Sequence, residues 1–150
     1  MKHIRLNTML MLISSLLLMS CGADKYMKKG EKFLALGEYY DAADQFKQAY
    51  TRTPVKERDT RGKRALKMAQ CYQRINATPK AIAAYRNAIR YNQASKEDQL
   101  AYARLLLKNG DYRQAEKVFM MLKDSMPGNQ LVANGLKSAQ MAPEWKKQGS

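Results

Sequence analysis

The segment GEYYDAADQF, Gly37–Phe46, returns later in the chain as GDYRQAEKVF, Gly110–Phe119. Gly, Tyr, Ala and Phe keep the same internal spacing in both copies. Between them lies NATPKAIAAYRNAI, where Asn76, Ala81, Tyr85 and Ala88 fill the corresponding slots. The anchoring alanines Ala42, Ala81 and Ala115 are separated by steps of 39 and 34 residues. A chain that restates one pattern three times at such a period is a stack of similar units.

Each slot has a physical reason. Gly30, Ala69 and Ala103 are small, and so are Ala42, Ala81 and Ala115; two helices crossing there approach closely. Gly37, Asn76 and Gly110 fall where a first helix must end on a left-handed residue. Phe46, Tyr85 and Phe119 are sized to fill the space between hairpins. Pro54 and Pro127 stop second helices. The pattern predicts helices over 24–36, 39–52, 58–75, 78–91, 96–109 and 112–125, with no strands. A capping helix is expected over 129–141, with Asn129 as its N-cap, Leu131 and Leu136 packing inward, and Pro143 ending it. Five extra residues near ERDTR lengthen the first step and are expected to extend the third helix.

With these residues the chain resembles the tetratricopeptide repeat. The resemblance implies an all-α fold, an α-solenoid of three helix hairpins plus a C-terminal capping helix. The repeats fall at about 23–56, 62–95 and 96–129 within a domain spanning 24–142, and 143–150 is a tail or linker. Departures are Lys29 at a usually apolar slot, Thr78 for the Tyr and Gln93 for the Pro of the second repeat.

The first twenty residues read as a targeting segment outside this fold. Lys2 and Arg5 precede an uncharged apolar run, Leu6–Met19, of 14 residues. That is shorter than the roughly 20 residues a spanning helix needs. It reads as a secretory signal. The run ends in LMSC, Leu18–Cys21, which resembles the lipobox of bacterial lipoproteins. The resemblance implies that Cys21 carries covalent lipid and begins the mature chain, with 21–23 as the lipidated N-terminus. A plain signal followed by an incidental Cys is the alternative. Gly22 stands where an inner-membrane retention Asp is found in some bacteria, so the expected location is the periplasmic face of the outer membrane. No other cofactor is expected.

Chemistry at neutral pH has little to work with. The single histidine, His3, lies in the signal, and Cys71 is the one cysteine besides Cys21. Histidine-based triads and metal sites are therefore not expected, nor is an internal disulfide. Cys71 reads as a small buried apolar residue. The acids near DQFKQ and KED read as solvated helix faces. No catalytic or metal-binding residue is assigned, and the chain is not expected to be an enzyme.

The charge is what remains. The formal net charge is +14. Between Lys47 and Arg90, twelve Lys or Arg stand against two acids, Glu57 and Asp59. Lys63, Lys67, Gln70 and Arg74 recur at helical spacing and, with Arg104 and Lys108, are placed on the concave face as a positive, protein-binding groove. The alternative is soluble exposure of long side chains. The carboxylate-clamp pattern of some tetratricopeptide proteins is not reproduced, since Met27, Leu66 and Leu100 stand where Lys would be wanted. A second patch, Lys25, Lys28, Lys29 and Lys32, follows Cys21 closely and is expected near the bilayer; an uncommitted basic helix end is the alternative. Nucleic acid is not an expected partner, because a lipid anchor removes the opportunity and no nucleic-acid motif is present.

Past the repeats the chain reads VANGLKSAQMAPEWKK. With the lipobox and three repeats, it resembles the N-terminal part of the OmpA-family outer-membrane lipoproteins of Bacteroidetes-type bacteria. That family implies a protein scaffold of type IX secretion, tethered to the cell wall through a propeller and an OmpA-like peptidoglycan-binding domain, neither of which lies in these 150 residues. The implied partners are protein subunits of an envelope or secretion complex, with peptidoglycan reached only through that absent domain. The alternative is a general envelope-assembly lipoprotein that helps barrel insertion or regulates cell-wall enzymes. A carrier of acidic secreted peptides is a third possibility.

Overall fold

The computed structural model describes residues 22–148. The signal segment, Cys21 and the last two residues lie outside the described part, and with them the lipidation expected at Cys21. The described chain is helical: α1 over 22–35, α2 Tyr39–Arg52, α3 Arg58–Arg74, α4 Thr78–Arg90, α5 Lys96–Asn109, α6 Tyr112–Ser125 and α7 Gln130–Gln148. Successive helices from α2 to α7 pack as neighbours, and α5 also touches α7. This is a solenoid of three hairpins, α1–α2, α3–α4 and α5–α6, closed by α7. None of the described helices is long and apolar enough to cross a membrane.

Turn chemistry sets the hairpin geometry. Gly37, Asn76 and Gly110 end the first helix of each pair at φ of 76, 55 and 85°. Second helices stop differently. Thr53 and Met126 precede prolines, and the pyrrolidine ring drives both out of helical geometry, to φ −76°, ψ 127° and φ −134°, ψ 61°. The second repeat lacks the proline, and Asn92 at φ 57° makes the turn instead. The α5 start is fixed by a reciprocal cap: Ser95 Oγ accepts from Asp98 N at 3.1 Å while Ser95 N donates to Asp98 Oδ2 at 3.0 Å. Of the five extra residues, three lengthen α3 to 17 residues against 14 in α5.

The core alternates small crossing points with large plugs. Ala42, Ala69, Ala81, Ala103 and Ala115 are fully buried, and Phe46, Tyr85 and Phe119 are among the largest buried side chains. Gly30 does not simply face Ala42. A Cβ there would come within 2.6 Å of the Phe46 ring, so the aromatic lies on the glycine. Gly135 of α7 gives Phe119 the same bare seat. Gly62, absent from the repeat pattern, clears room for Tyr91 and Gln93 in the loop after α4.

The cap departs from expectation in two ways. Asn129 caps α7 as expected, its Oδ1 accepting from Leu131 N at 3.0 Å and Val132 N at 3.3 Å. Leu131, however, is 54% exposed, and the inward stripe is Val132, Leu136 and Ala139. Leu131 stands one residue, about 100° of helix, off that stripe. The helix also runs through Pro143 to Gln148 rather than stopping there. A proline removes one backbone donor, and a helix with its other bonds intact can continue past it.

Candidate functional site

The inner face of the stack is formed by α1, α3 and α5. Leu34, Tyr39, Lys67, Gln70, Cys71, Gln73, Arg74, Tyr85, Glu97, Asp98 and Ala101 line a cavity there of about 420 Å³. A neighbouring depression of about 370 Å³ shares Gln73 and Ala101 and adds Asn76, Arg104, Leu105 and Lys108. Five of the six residues placed on the groove from sequence, Lys67, Gln70, Arg74, Arg104 and Lys108, thus line one continuous surface. Lys63 does not; it is exposed one turn towards the start of α3 and lines neither depression.

The groove is not uniformly positive. Lys67 Nζ is paired with Glu31 Oε1 at 2.8 Å, and Gln70 Nε2 donates to Asp98 Oδ1 at 3.1 Å. The Arg74 guanidinium stands 5.9 Å from the Tyr39 ring centroid. At this end a basic α3 wall faces an acidic α5 wall, Glu97 and Asp98. At the other end Arg104 and Lys108 are exposed with no acid among the lining residues, and Lys108 Nζ donates to Asn76 Oδ1 at 3.3 Å. Of the KED acids, read from sequence as a solvated face, Asp98 caps α5 and, with Glu97, walls the groove. Their position is set by α5 lying beside α3, which local spacing does not show.

Two titratable groups form the floor. Burial pushes the Cys71 thiol up to about 11 from its ordinary 9.0, with Lys67 opposing and Glu31 adding. Burial pushes the Tyr85 hydroxyl up to about 12 from 10.0, with Asp98 adding and Arg74 opposing. The Tyr85 hydroxyl donates to Gln73 Oε1 at 2.6 Å. A protonated, buried thiol is a poor nucleophile. Both groups hold their protons more tightly folded than unfolded, so this part of the stability is complete below about pH 9 and lost as pH rises towards 11 and 12. The denaturant midpoint is expected to fall between pH 8 and pH 11 by the equivalent of roughly 3 to 4 kcal/mol. A midpoint that holds steady over that range would contradict the buried placement. Among the described residues no cluster of three or more His, Cys, Asp or Glu is arranged to hold a metal ion.

Much of the basic sequence from Lys47 to Arg90 is committed within the fold. Arg52, Arg58, Arg61 and Lys80 stack over Tyr26, Tyr91, Tyr50 and Tyr72 at 4.4, 5.6, 4.2 and 5.7 Å. Arg86 bonds the Tyr102 side chain. Arg64 is 6% exposed: Nη1 donates to Ala49 O at 3.2 Å and to Thr53 Oγ1, and Nη2 pairs with Asp24 Oδ1 of α1. Arg61 Nη1 donates to Thr53 O at 2.6 Å. These two arginines occupy the free carbonyls at the end of α2, where a cation is favoured. Sequence counting assigned them to a charged surface; long-range pairing to α1 and α2 gives them structural work. The second basic patch is different in kind, since Lys25, Lys28, Lys29 and Lys32 are all exposed along α1.

A family model described as tetratricopeptide repeat matches residues 76–139. Among solved structures, the first TPR domain of Spaghetti (RPAP3), bound to the HSP90 peptide SRMEEVD, superposes with a TM-score of 0.62 at 18% identity, covering 83% of this chain and 95% of that one. The second TPR domain of human RPAP3, in complex with the HSP70 peptide SGPTIEEVD, gives 0.61 at 15% identity, covering 82% and 96%. The Sgt2 TPR domain from Aspergillus fumigatus gives 0.59 at 18% identity, covering 84% and 82%. No curated protein sequence matches the chain. At these identities the likeness is one of fold: the molecule is an α-solenoid of tetratricopeptide type.

Proposed function

We propose that the chain is a non-catalytic scaffold that docks a protein segment in the groove between α1, α3 and α5, held at the periplasmic face of the outer membrane by lipid on Cys21. The observation that carries the docking reading is the pair of adjoining depressions lined by Lys67, Gln70, Arg74, Arg104 and Lys108. Their charge pattern favours an extended segment that puts carboxylates at the Arg104–Lys108 end and a basic or neutral stretch between Glu97 and Lys67. Met27, Leu66 and Leu100 pack on or within the core, so the groove does not reproduce a lysine clamp for a C-terminal carboxylate. Segments ending in EEVD, as carried by the peptides bound to the RPAP3 domains, are therefore not its expected ligands.

The anchor reading rests on the Lys2–Arg5 charge, the Leu6–Met19 apolar run and LMSC. The narrower assignment, a PorE-like subunit of a type IX secretion complex linked to the cell wall, rests on the joint resemblance of lipobox, repeats and the APEW segment. The test has two arms. Mass spectrometry of protein from native membranes is expected to find acylated Cys21, and Cys21→Ser to abolish it. Crosslinking in native envelope is expected to capture secretion-complex subunits, and Arg104→Glu with Lys108→Glu to cut that capture at least tenfold. Capture of barrel-assembly subunits instead would favour the general assembly alternative. Capture unchanged by the double substitution would remove the groove from the account.

A further inference from the structure

We propose that α1 lies flat against an anionic phospholipid surface, gripping headgroup phosphates through Lys25, Lys28, Lys29 and Lys32. The inference rests on the reading of Cys21 as a lipid anchor and adds how the anchored molecule is oriented.

The charges of α1 are sorted by face. Its two acids are partly exposed but each is paired to α3, Asp24 to the buried Arg64 and Glu31 to Lys67 at 2.8 Å. The four lysines follow at i, i+3, i+4 and i+7 on the outer side, all exposed. They line one shallow depression of about 570 Å³ with Asp24 at its rim. Lys29 Nζ also stands 5.7 Å from the Phe33 ring centroid. Lys25 with Lys29 and Lys28 with Lys32 are like-charge i,i+4 pairs, which destabilise an isolated helix. Beyond the Lys29–Phe33 contact the fold gains little from this stripe, whereas an anionic surface complements it.

The chain leaves no slack for another arrangement of the same contacts. The helix is already formed at residue 22, Ala23 is 2% exposed, and the Asp24–Arg64 pair fixes the first turn to α2 and α3. Gly22 follows Cys21, the residue read as carrying the lipid, directly. The folded stack therefore starts where the anchor ends. With α1 upright, Lys29 and Lys32 would stand about 10 and 15 Å above the start of the helix, at or beyond a Debye length from the headgroups. With α1 flat, all four lysines reach them. Each lysine at an anionic surface is worth about fivefold in binding, so the flat orientation wins by roughly twenty-fivefold over an upright one in which only Lys25 and Lys28 engage.

The test is amine-reactive labelling of the full chain reconstituted in phosphatidylcholine vesicles with and without phosphatidylglycerol, read lysine by lysine by mass spectrometry. On anionic vesicles all four lysines are expected to label several-fold more slowly, while exposed Lys117 and Lys123 of α6 do not change. Raised salt should erase the difference. Equal labelling on the two vesicle types, or slowing confined to Lys25 and Lys28, overturns the flat orientation while leaving the anchor intact. Slow labelling in native envelope but not on anionic vesicles assigns the stripe to an acidic protein and also overturns it. Binding to anionic vesicles with none to neutral ones supports the stripe and removes the anchor.

Discussion

Replacing Phe119 by Ala is expected to cost about 4 kcal/mol of unfolding free energy, the upper range for emptying a well-packed aromatic site. The ring is fully buried, and its seat on α7 is Gly135, which has no side chain to relax into the void. Collapse by the neighbours would need α7 itself to move. In a quasi-one-dimensional stack such a loss is felt first at the nearest interface. Thermal unfolding should begin more than 10 °C lower. Amide exchange within 130–142 should accelerate well before that of α3 and α4. A loss under about 1 kcal/mol, or uniform acceleration along the chain, would mean that Phe119 does not staple the cap.

The second large effect is at the other end. Arg64→Ala is expected to cost about 3 kcal/mol, because a charged donor is removed from the Ala49 carbonyl and the Thr53 hydroxyl at the close of α2. The Asp24 partner contributes less, since its side chain is 61% exposed and solvent screens the pair. Asp24→Ala should therefore cost about 1 kcal/mol or less. Arg64→Lys should recover little of the loss, because one ammonium cannot span acceptors on two helices as the guanidinium fork does. Both effects are read from chemical denaturation midpoints. Full rescue by Lys would show that charge alone, and not the fork, ties the close of α2 to α3.

The helix pattern was legible because it rests on local chemistry repeated three times. Gly37, Asn76 and Gly110 must adopt positive φ, and Thr53 and Met126 must leave the helix before a proline. Those demands act within a few residues, so the spacing alone places them. Leu131 stands off the inward face because a cap helix has no repeat to fix its rotation; the Gly135 seat under Phe119, with Val132 and Ala139, sets which face turns inward. The groove was half legible. Lys67, Gln70 and Arg74 share a face of one helix, and that periodicity is visible in sequence. Glu97 and Asp98 join them from α5 and Tyr85 from α4, and only packing brings those together. The count of positive charge misled for the same reason. It could not distinguish Arg64, spent on Asp24 and Thr53, from Arg104, exposed on the groove.

The central claim is that partners dock on the inner face formed by α1, α3 and α5. It is tested most directly by a photo-crosslinking residue placed at Ala101, which lines both depressions, and in parallel at Arg90, exposed on α4 and lining neither. In native envelope the account predicts a discrete protein adduct from position 101, weakened by Arg104→Glu with Lys108→Glu, and none from position 90. An adduct from position 90 with none from 101 would contradict it.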